Sequence, residues 1–209
     1  MDRISRSATN AIAIVTALAW VAALAFGGAD RAALAIGFIP ARLSGIPVPW
    51  PAVPVFLTPL TATLAHSGLV HLGFNLLIFL WCGTAVERVL GKTGLIVLYL
   101  VGAYAAALAQ WAVDPSATVP MIGASGAISA VIGAFALSFG RAKAFTNNLR
   151  VNRWINVLWL MVAWVVLQVM MGWLAGGQGF LLATPAHVGG FAAGLLLQRP
   201  LLLWRYRKA

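Results

Sequence analysis

Gly123-Ala124-Ser125-Gly126 opens an apolar run that continues to Phe139. A hydroxyl is an unusual opening for such a run, and two histidine-bearing apolar runs flank it in the sequence. One carries His66, His71 and Asn75, and the other carries His187. All three histidines of the chain are accounted for in these two runs. Working outward from Ser125, the expectation is that these groups surround it inside a membrane.

Composition sets the medium. Of 209 residues, 62% are hydrophobic and 9% charged, and the mean hydropathy is +0.93. A soluble domain carries about 25% charged residues. A chain this apolar cannot cover its surface with polar groups in water, which excludes the soluble classes and places it in the lipid bilayer. The net charge of +10 would point to nucleic acid in a soluble protein. Here the basic residues lie between apolar runs, so topology explains them and no nucleic-acid partner is expected. Cys82 is the sole cysteine and falls within an apolar run, so neither an intramolecular disulfide nor a metal cluster is expected. No small-x-small cleavage site with the right flanks follows the first run, which reads as a retained span and not as a signal peptide.

Six apolar runs are drawn at 11–28, 67–86, 94–112, 124–140, 154–174 and 186–203. Several approach the roughly 20 residues that a helix needs to cross the hydrocarbon. The expected fold is all-α: a single polytopic membrane domain over residues 1–209, a six-helix bundle with a short central fourth helix. A short helix beginning below the surface leaves a cavity above its N-terminus. If the N-terminus is cytoplasmic, 12 of the 14 basic residues fall on the inner side and only Arg31 and Arg42 on the outer side. That asymmetry supports both termini inside and an even number of spans. Heavy use of alanine, glycine and arginine fits a GC-rich bacterium and its inner (plasma) membrane.

The first outer loop, 29–65, holds six prolines yet stays apolar. Prolines forbid one continuous helix, so short helical or turn pieces partly embedded in the headgroup layer are expected. The loop from Ala175 to Pro185 has three glycines and no charge, and lies directly before His187, where it is free to move. The basic stretch from Arg141 to Arg153 reads as a headgroup anchor. Trp154 and Trp173 fit interfacial belts, whereas Trp159 and Trp164 read as lipid-facing or packing residues without a function.

An ionisable group within a span is costly and marks a candidate site. His71 and Asn75 are four apart and share a helix face. His66 lies nearly one and a half turns earlier, His187 begins the sixth run, and Ser125 begins the fourth. Under the orientation above, all of them reach the same side of the membrane at similar depth. Serine is a weak nucleophile unless a base takes its proton, and histidine suits that task. Ser125 and His187 therefore suggest nucleophile and general base. The four acids, Asp2, Asp30, Glu87 and Asp114, fall on the inner side or in outer loops, so a dyad fits better than a triad. Asn75, His71 and the Ser125 backbone N–H are candidate donors to an oxyanion. Gly123 and Gly126 let the backbone bend tightly. Gly190 and Gly194 form a GxxxG pair on the His187 face, opposite a predicted stripe of Ser125, Ser129 and Gly133. From the residues alone, catalysis, a polar conduit and a ligand site all remain open.

The order and spacing of four pieces resemble the rhomboid family of intramembrane serine proteases. They are His66-Ser67-Gly68-Leu69-Val70-His71-Leu72-Gly73-Phe74-Asn75, then Gly83 with Glu87 and Gly91, then Gly123-Ala124-Ser125-Gly126, then Ala186-His187-Val188-Gly189-Gly190 with Gly194. The resemblance runs from about Phe56 to Arg199. It implies Ser125 as nucleophile, His187 as base, and His71, Asn75 and the Ser125 N–H as oxyanion hole. It implies a structural or water-holding His66 and a structural Glu87. It further implies transmembrane protein substrates and no cofactor. Two positions depart from the family. Leu57-Thr58 stands where many members carry Trp-Arg. Ser129 stands where some bacterial members stack a tyrosine on the histidine, which leaves His187 to be oriented by Tyr99, by Tyr104 or by helix packing alone. The alternatives are a catalytically inactive relative that binds or chaperones membrane segments, and a small transporter or channel.

Overall fold

The computed structural model describes residues 7–25, 27–139, 145–174 and 183–207, the side chains of 171–174 aside. The predicted anchor residues Arg3, Arg6, Arg141, Lys143 and Lys208 and most of the 175–185 loop lie outside the described residues. Among those described, every regular element is helical, and one isolated antiparallel bridge joins Phe38 to Met121. The helices are α1 (Ala8–Ala25), α2 (Gly28–Ile36), α3 (Pro40–Leu43), α4 (Thr58–Thr61), α5 (Leu69–Val113), α6 (Ser125–Phe139), α7 (Leu149–Leu174) and α8 (Thr184–Arg205). Among the described residues, three stretches are long and apolar enough to cross a membrane: Ala8–Ala25, Leu69–Val113 and Leu149–Met170.

The runs predicted at 67–86 and 94–112 both fall within α5. They meet at Gly91, whose φ of +76° breaks the helical path inside this 45-residue element. Only glycine takes that backbone without strain. The side chain of Arg205 at the end of α8 lies against Gly91, with Nε 3.6 Å from where a Cβ would stand. Its Nη1 donates to the Arg88 carbonyl at 2.6 Å. A cation on the last free carbonyls of a helix segment is well placed for both hydrogen bonding and the helix dipole.

Helix α6 is the centre of the bundle. It has 15 residues, about 22 Å of helix, and 11 of them are buried. It packs against α5 and α8 through backbone-close contacts. A Cβ on Gly190 would run into the Gly126 carbonyl, one on Gly194 into the Ala130 carbonyl, and one on Gly133 into the Phe191 carbonyl. The α6–α8 seam therefore includes Gly133 and Ser129 of the predicted stripe, the Ser129 Cβ lying 3.1 Å from where a Gly190 Cβ would stand, while Ser125 meets His187 at its end. Gly126 and Ala130 widen the seam beyond that stripe. The physical reason is composition, because small residues occupy nearly every face of α6.

Helix α1 is fastened to α5 by Glu87. Its carboxylate accepts from Ser7 Oγ (2.7 Å), Ala8 N (2.9 Å), Thr9 N (2.9 Å) and Thr9 Oγ1 (2.6 Å). An anion on the first free N–H groups of a helix satisfies both their hydrogen bonds and the helix dipole. Residues 29–65 break into short pieces, as the prolines require: α2, α3, a 3-10 turn at Val55–Leu57, α4 and a second 3-10 turn at Ala62–Leu64. Phe56 remains 65% exposed, an apolar ring with no place in water. Without Trp-Arg at positions 57 and 58, polar links to backbone hold this segment. Tyr104 Oη donates to the Phe56 carbonyl (2.9 Å), Arg42 Nη2 to Val53 (2.7 Å) and Thr61 Oγ1 to Ile36 (2.7 Å).

Candidate active site

Three elements meet at Ser125. The turn before α6 is held first. Gly123 N donates to the Ala62 carbonyl at 2.9 Å, and Ala124 N points at His66 Nε2 at 3.4 Å. His66 is 1% exposed and packs edge-on against His71, with ring centroids 5.0 Å apart. Gly123 has φ +106°, and a Cβ there would fall 2.7 Å from His71 Nε2. Both backbone and space thus demand glycine, and the missing side chain is what lets the His71 ring lie against the turn.

Helix α5 contributes His71 and Asn75 from its first turns, and Ser67 stands two residues before it, so that the three follow at spacings of four. Ser67 Oγ is 3.1 Å from His71 Nδ1, and Asn75 Nδ2 donates to the His71 carbonyl at 2.9 Å. Asn75 is fully buried, and its Oδ1 has no partner among the described residues. Helix α8 contributes His187 from its first turn, where Pro185 sits without needing an N–H. His187 Nε2 lies 2.9 Å from Ser125 Oγ, a hydrogen bond across 62 residues of sequence. Both side chains are buried.

The structure therefore brings together Ser125, His187, His71 and Asn75, with His66 behind the turn and Gly123, Gly126 and Gly190 in the contacts that close it. Gly194 lies one turn further along α8. Glu87 is remote from this group, at the start of α1. Among the described residues, no hydrogen bond or ion pair joins a carboxylate to His187, whose partners are Ser125 and Gln168.

Neither tyrosine weighed at the sequence level faces His187. Tyr99 tilts against Phe79, with centroids 5.4 Å apart, and the Tyr104 hydroxyl is bound to Phe56. The neighbour of the imidazole is Trp164, expected to be lipid-facing or merely packed. It is 4% exposed, and its ring is set at 72° to that of His187 with centroids 6.2 Å apart. Gln168 Nε2 stands 3.4 Å from His187 Nε2. One signal in the sequence marks both residues. They are four apart on α7, hence on one face, and Gln168 is the lone amide in an otherwise apolar stretch from Val157 to Met171. Such an amide needs a polar neighbour.

Chemically, a buried hydroxyl hydrogen-bonded to imidazole, beside free donors at a helix N-terminus, is equipped for acyl transfer. Comparison with known proteins agrees in family. A family model described as Rhomboid domain matches residues 55–204. Rhomboid-type serine protease 2 of Emericella nidulans is 32% identical over 148 residues, covering 69% of this chain and 25% of that protein. Rhomboid protease GluP of Bacillus subtilis is 27% identical over 136 residues, 65% of this chain and 24% of that one. Rhomboid protease GlpG of Serratia proteamaculans is 31% identical over 135 residues, 63% of this chain and 43% of that one. The chain thus spans about a quarter of the length of the first two and less than half of the third.

Proposed function

The chain belongs to the rhomboid family, and from that premise we propose that it is an intramembrane serine endopeptidase cutting transmembrane or membrane-adjacent protein segments with a Ser125–His187 dyad. The observation that carries this is the 2.9 Å contact between Ser125 Oγ and His187 Nε2, buried beside His71 and Asn75.

Six spans cross an inner (plasma) membrane, α5 supplying two of them on either side of Gly91, with both termini cytoplasmic and Ser125 opening outward. A substrate helix enters from the bilayer and unwinds locally. Ser125 Oγ attacks the exposed carbonyl carbon while His187 Nε2 takes its proton. The carbonyl oxygen becomes an oxyanion. It receives hydrogen bonds from the second Asn75 amide hydrogen, from a His71 ring N–H and from Ser125 N, the first N–H of α6, which has no partner within its own helix. Collapse breaks the C–N bond, and His187 returns the proton to the departing amine. Water then attacks the acyl-enzyme with His187 again as base, releasing the acid and restoring Ser125. Unwinding exposes backbone groups to lipid, so segments carrying glycine or proline are the easier substrates.

The test is covalent. Purified protein in detergent is treated with a fluorophosphonate probe and the adduct located by mass spectrometry, with Ser125→Ala and His187→Ala alongside. We expect an adduct on Ser125 that is absent in both variants. A folded wild-type protein that takes no adduct overturns the proposal in favour of a membrane-segment binder.

A further inference from the structure

We infer that Trp164 is the positioning residue for His187, and that Ser129 is the peg that holds it. The inference rests on His187 acting as the general base. Ser129 lies one turn after Ser125 and is fully buried. Its hydroxyl is used twice. It donates to the Ser125 carbonyl at 2.7 Å and accepts from Trp164 Nε1 at 2.7 Å. The indole N–H, the serine hydroxyl and the nucleophile's own carbonyl thus form one chain of hydrogen bonds, each strengthening the next in a low-dielectric interior.

The tryptophan ring is fixed on its other sides as well. It stacks on Phe74, with centroids 6.1 Å apart and planes 13° from parallel. Phe74 is the residue before Asn75 on α5. Trp164 is therefore wedged between the helix carrying the oxyanion donors and the imidazole, with its N–H pinned to α6. Among the described residues no carboxylate orients this histidine, and an imidazole held at Nε2 alone, by Ser125 and Gln168, is free to swing about its Cβ–Cγ bond. The tethered indole supplies the wall against which the ring rests. A serine at position 129 fits this arrangement because it is small enough to leave room for the indole and still offers an acceptor to a buried N–H that otherwise has none.

The variants are Trp164→Phe, which keeps an aromatic ring and deletes the N–H, and Ser129→Ala, which deletes the acceptor. Trp159→Phe, on an exposed ring of the same helix, is the control. Two readouts are taken on the full chain in detergent. The first is the maximal rate of fluorophosphonate labelling at Ser125. Loss of one buried hydrogen bond predicts a fall of about tenfold for each single variant. The double variant falls no further than the worse single one, because both cut the same link. Half-saturating probe concentration stays within about twofold, and Trp159→Phe matches the wild type. The second is the 15N spectrum of histidine-labelled protein, with His187 assigned by its loss in His187→Ala. Its ring resonances shift or broaden in Trp164→Phe and in Ser129→Ala.

Unchanged labelling in both single variants, a multiplicative loss of about a hundredfold in the double, or an unmoved His187 signal each overturns the inference. Should Trp164→Phe fail to fold, Ser129→Ala decides alone by the same readouts. A wild-type protein that takes no adduct but whose His187 signal moves in the variants keeps the tether and sinks the protease instead.

Discussion

Helix α5 carries a polar cluster at each end of its first half, and the two are built on opposite terms. At Glu87 a carboxylate meets four donors from three successive residues, Ser7, Ala8 and Thr9. Some 12 residues earlier on the same helix, about 18 Å away, Asn75 buries an Oδ1 that no group among the described residues satisfies, and His66 buries an Nδ1 likewise without a partner among them. Burying a polar atom without a partner costs roughly 1–3 kcal/mol, and native proteins keep few such atoms. The fully paired cluster is architecture, with nothing left to offer a ligand. The under-paired one holds donors and acceptors in reserve, which is where local rules are expected to yield to function.

The sharpest way to break this contrast is to delete a reserve group. Asn75→Ala removes a proposed oxyanion donor, and loss of one such donor costs about a hundredfold in rate. We expect that loss in the labelling rate of Ser125 by fluorophosphonate. The thermal midpoint in detergent should move little, since the only bond lost is within one helix turn and an orphaned acceptor leaves with it. A stability loss that accounts for the lost activity would make Asn75 architecture too.

Glu87→Gln should behave in the opposite sense. It keeps size and one acceptor but loses the charge that four donors share. Charge-assisted hydrogen bonds contribute roughly 1.5–3 kcal/mol, so an unfolding free energy lower by about 2 kcal/mol is expected. Folded protein should label at a rate within twofold of the wild type. A labelling rate that drops with no change in unfolding would tie Glu87 to the site and erase the distinction.

Much of this contrast was legible in the sequence, for different reasons at the two ends. Histidine and asparagine are conspicuous in apolar runs, and charge asymmetry led to the expectation that His71, Asn75, His187 and Ser125 share one side. The 2.9 Å approach of Ser125 to His187 follows the same logic. The division of loop 29–65 into short pieces followed from its prolines. What was hidden has a common cause. Trp164 belongs to a residue type at home in lipid, so only its place one turn before Gln168 separates an indole turned inward from Trp159, which is 64% exposed. The share of Gly126 and Ala130 in the α6–α8 seam was hidden because Ser-Gly-Ala-Ile-Ser-Ala-Val-Ile-Gly-Ala offers a neighbour small residues on every side. Glu87 was marked as structural by resemblance, but its partners on α1 are set by a helix-to-helix contact at Gly83, where a Cβ would come within 2.9 Å of Thr9.

Ser67 tests the contrast at its finest grain. Its Oγ sits 3.1 Å from His71 Nδ1, and which atom carries the proton depends on the tautomer. His71 Nε2 is the ring nitrogen beside Gly123 and Ser125. For it to donate to an oxyanion, the proton must be on Nε2, and Nδ1 must accept. In that tautomer the Ser67 hydroxyl donates to Nδ1 and keeps the hydrogen bond made. Ser67→Ala removes that support without touching Nε2. One neutral hydrogen bond contributes about 1 kcal/mol, so the labelling rate at Ser125 should fall by roughly fivefold. Ser67→Thr, which keeps the hydroxyl, should restore most of it. The residue is partly exposed, so neither change should lower the thermal midpoint appreciably. Equal rates in alanine and threonine variants would mean that the tautomer is set elsewhere, and Ser67 would join Glu87 on the architectural side.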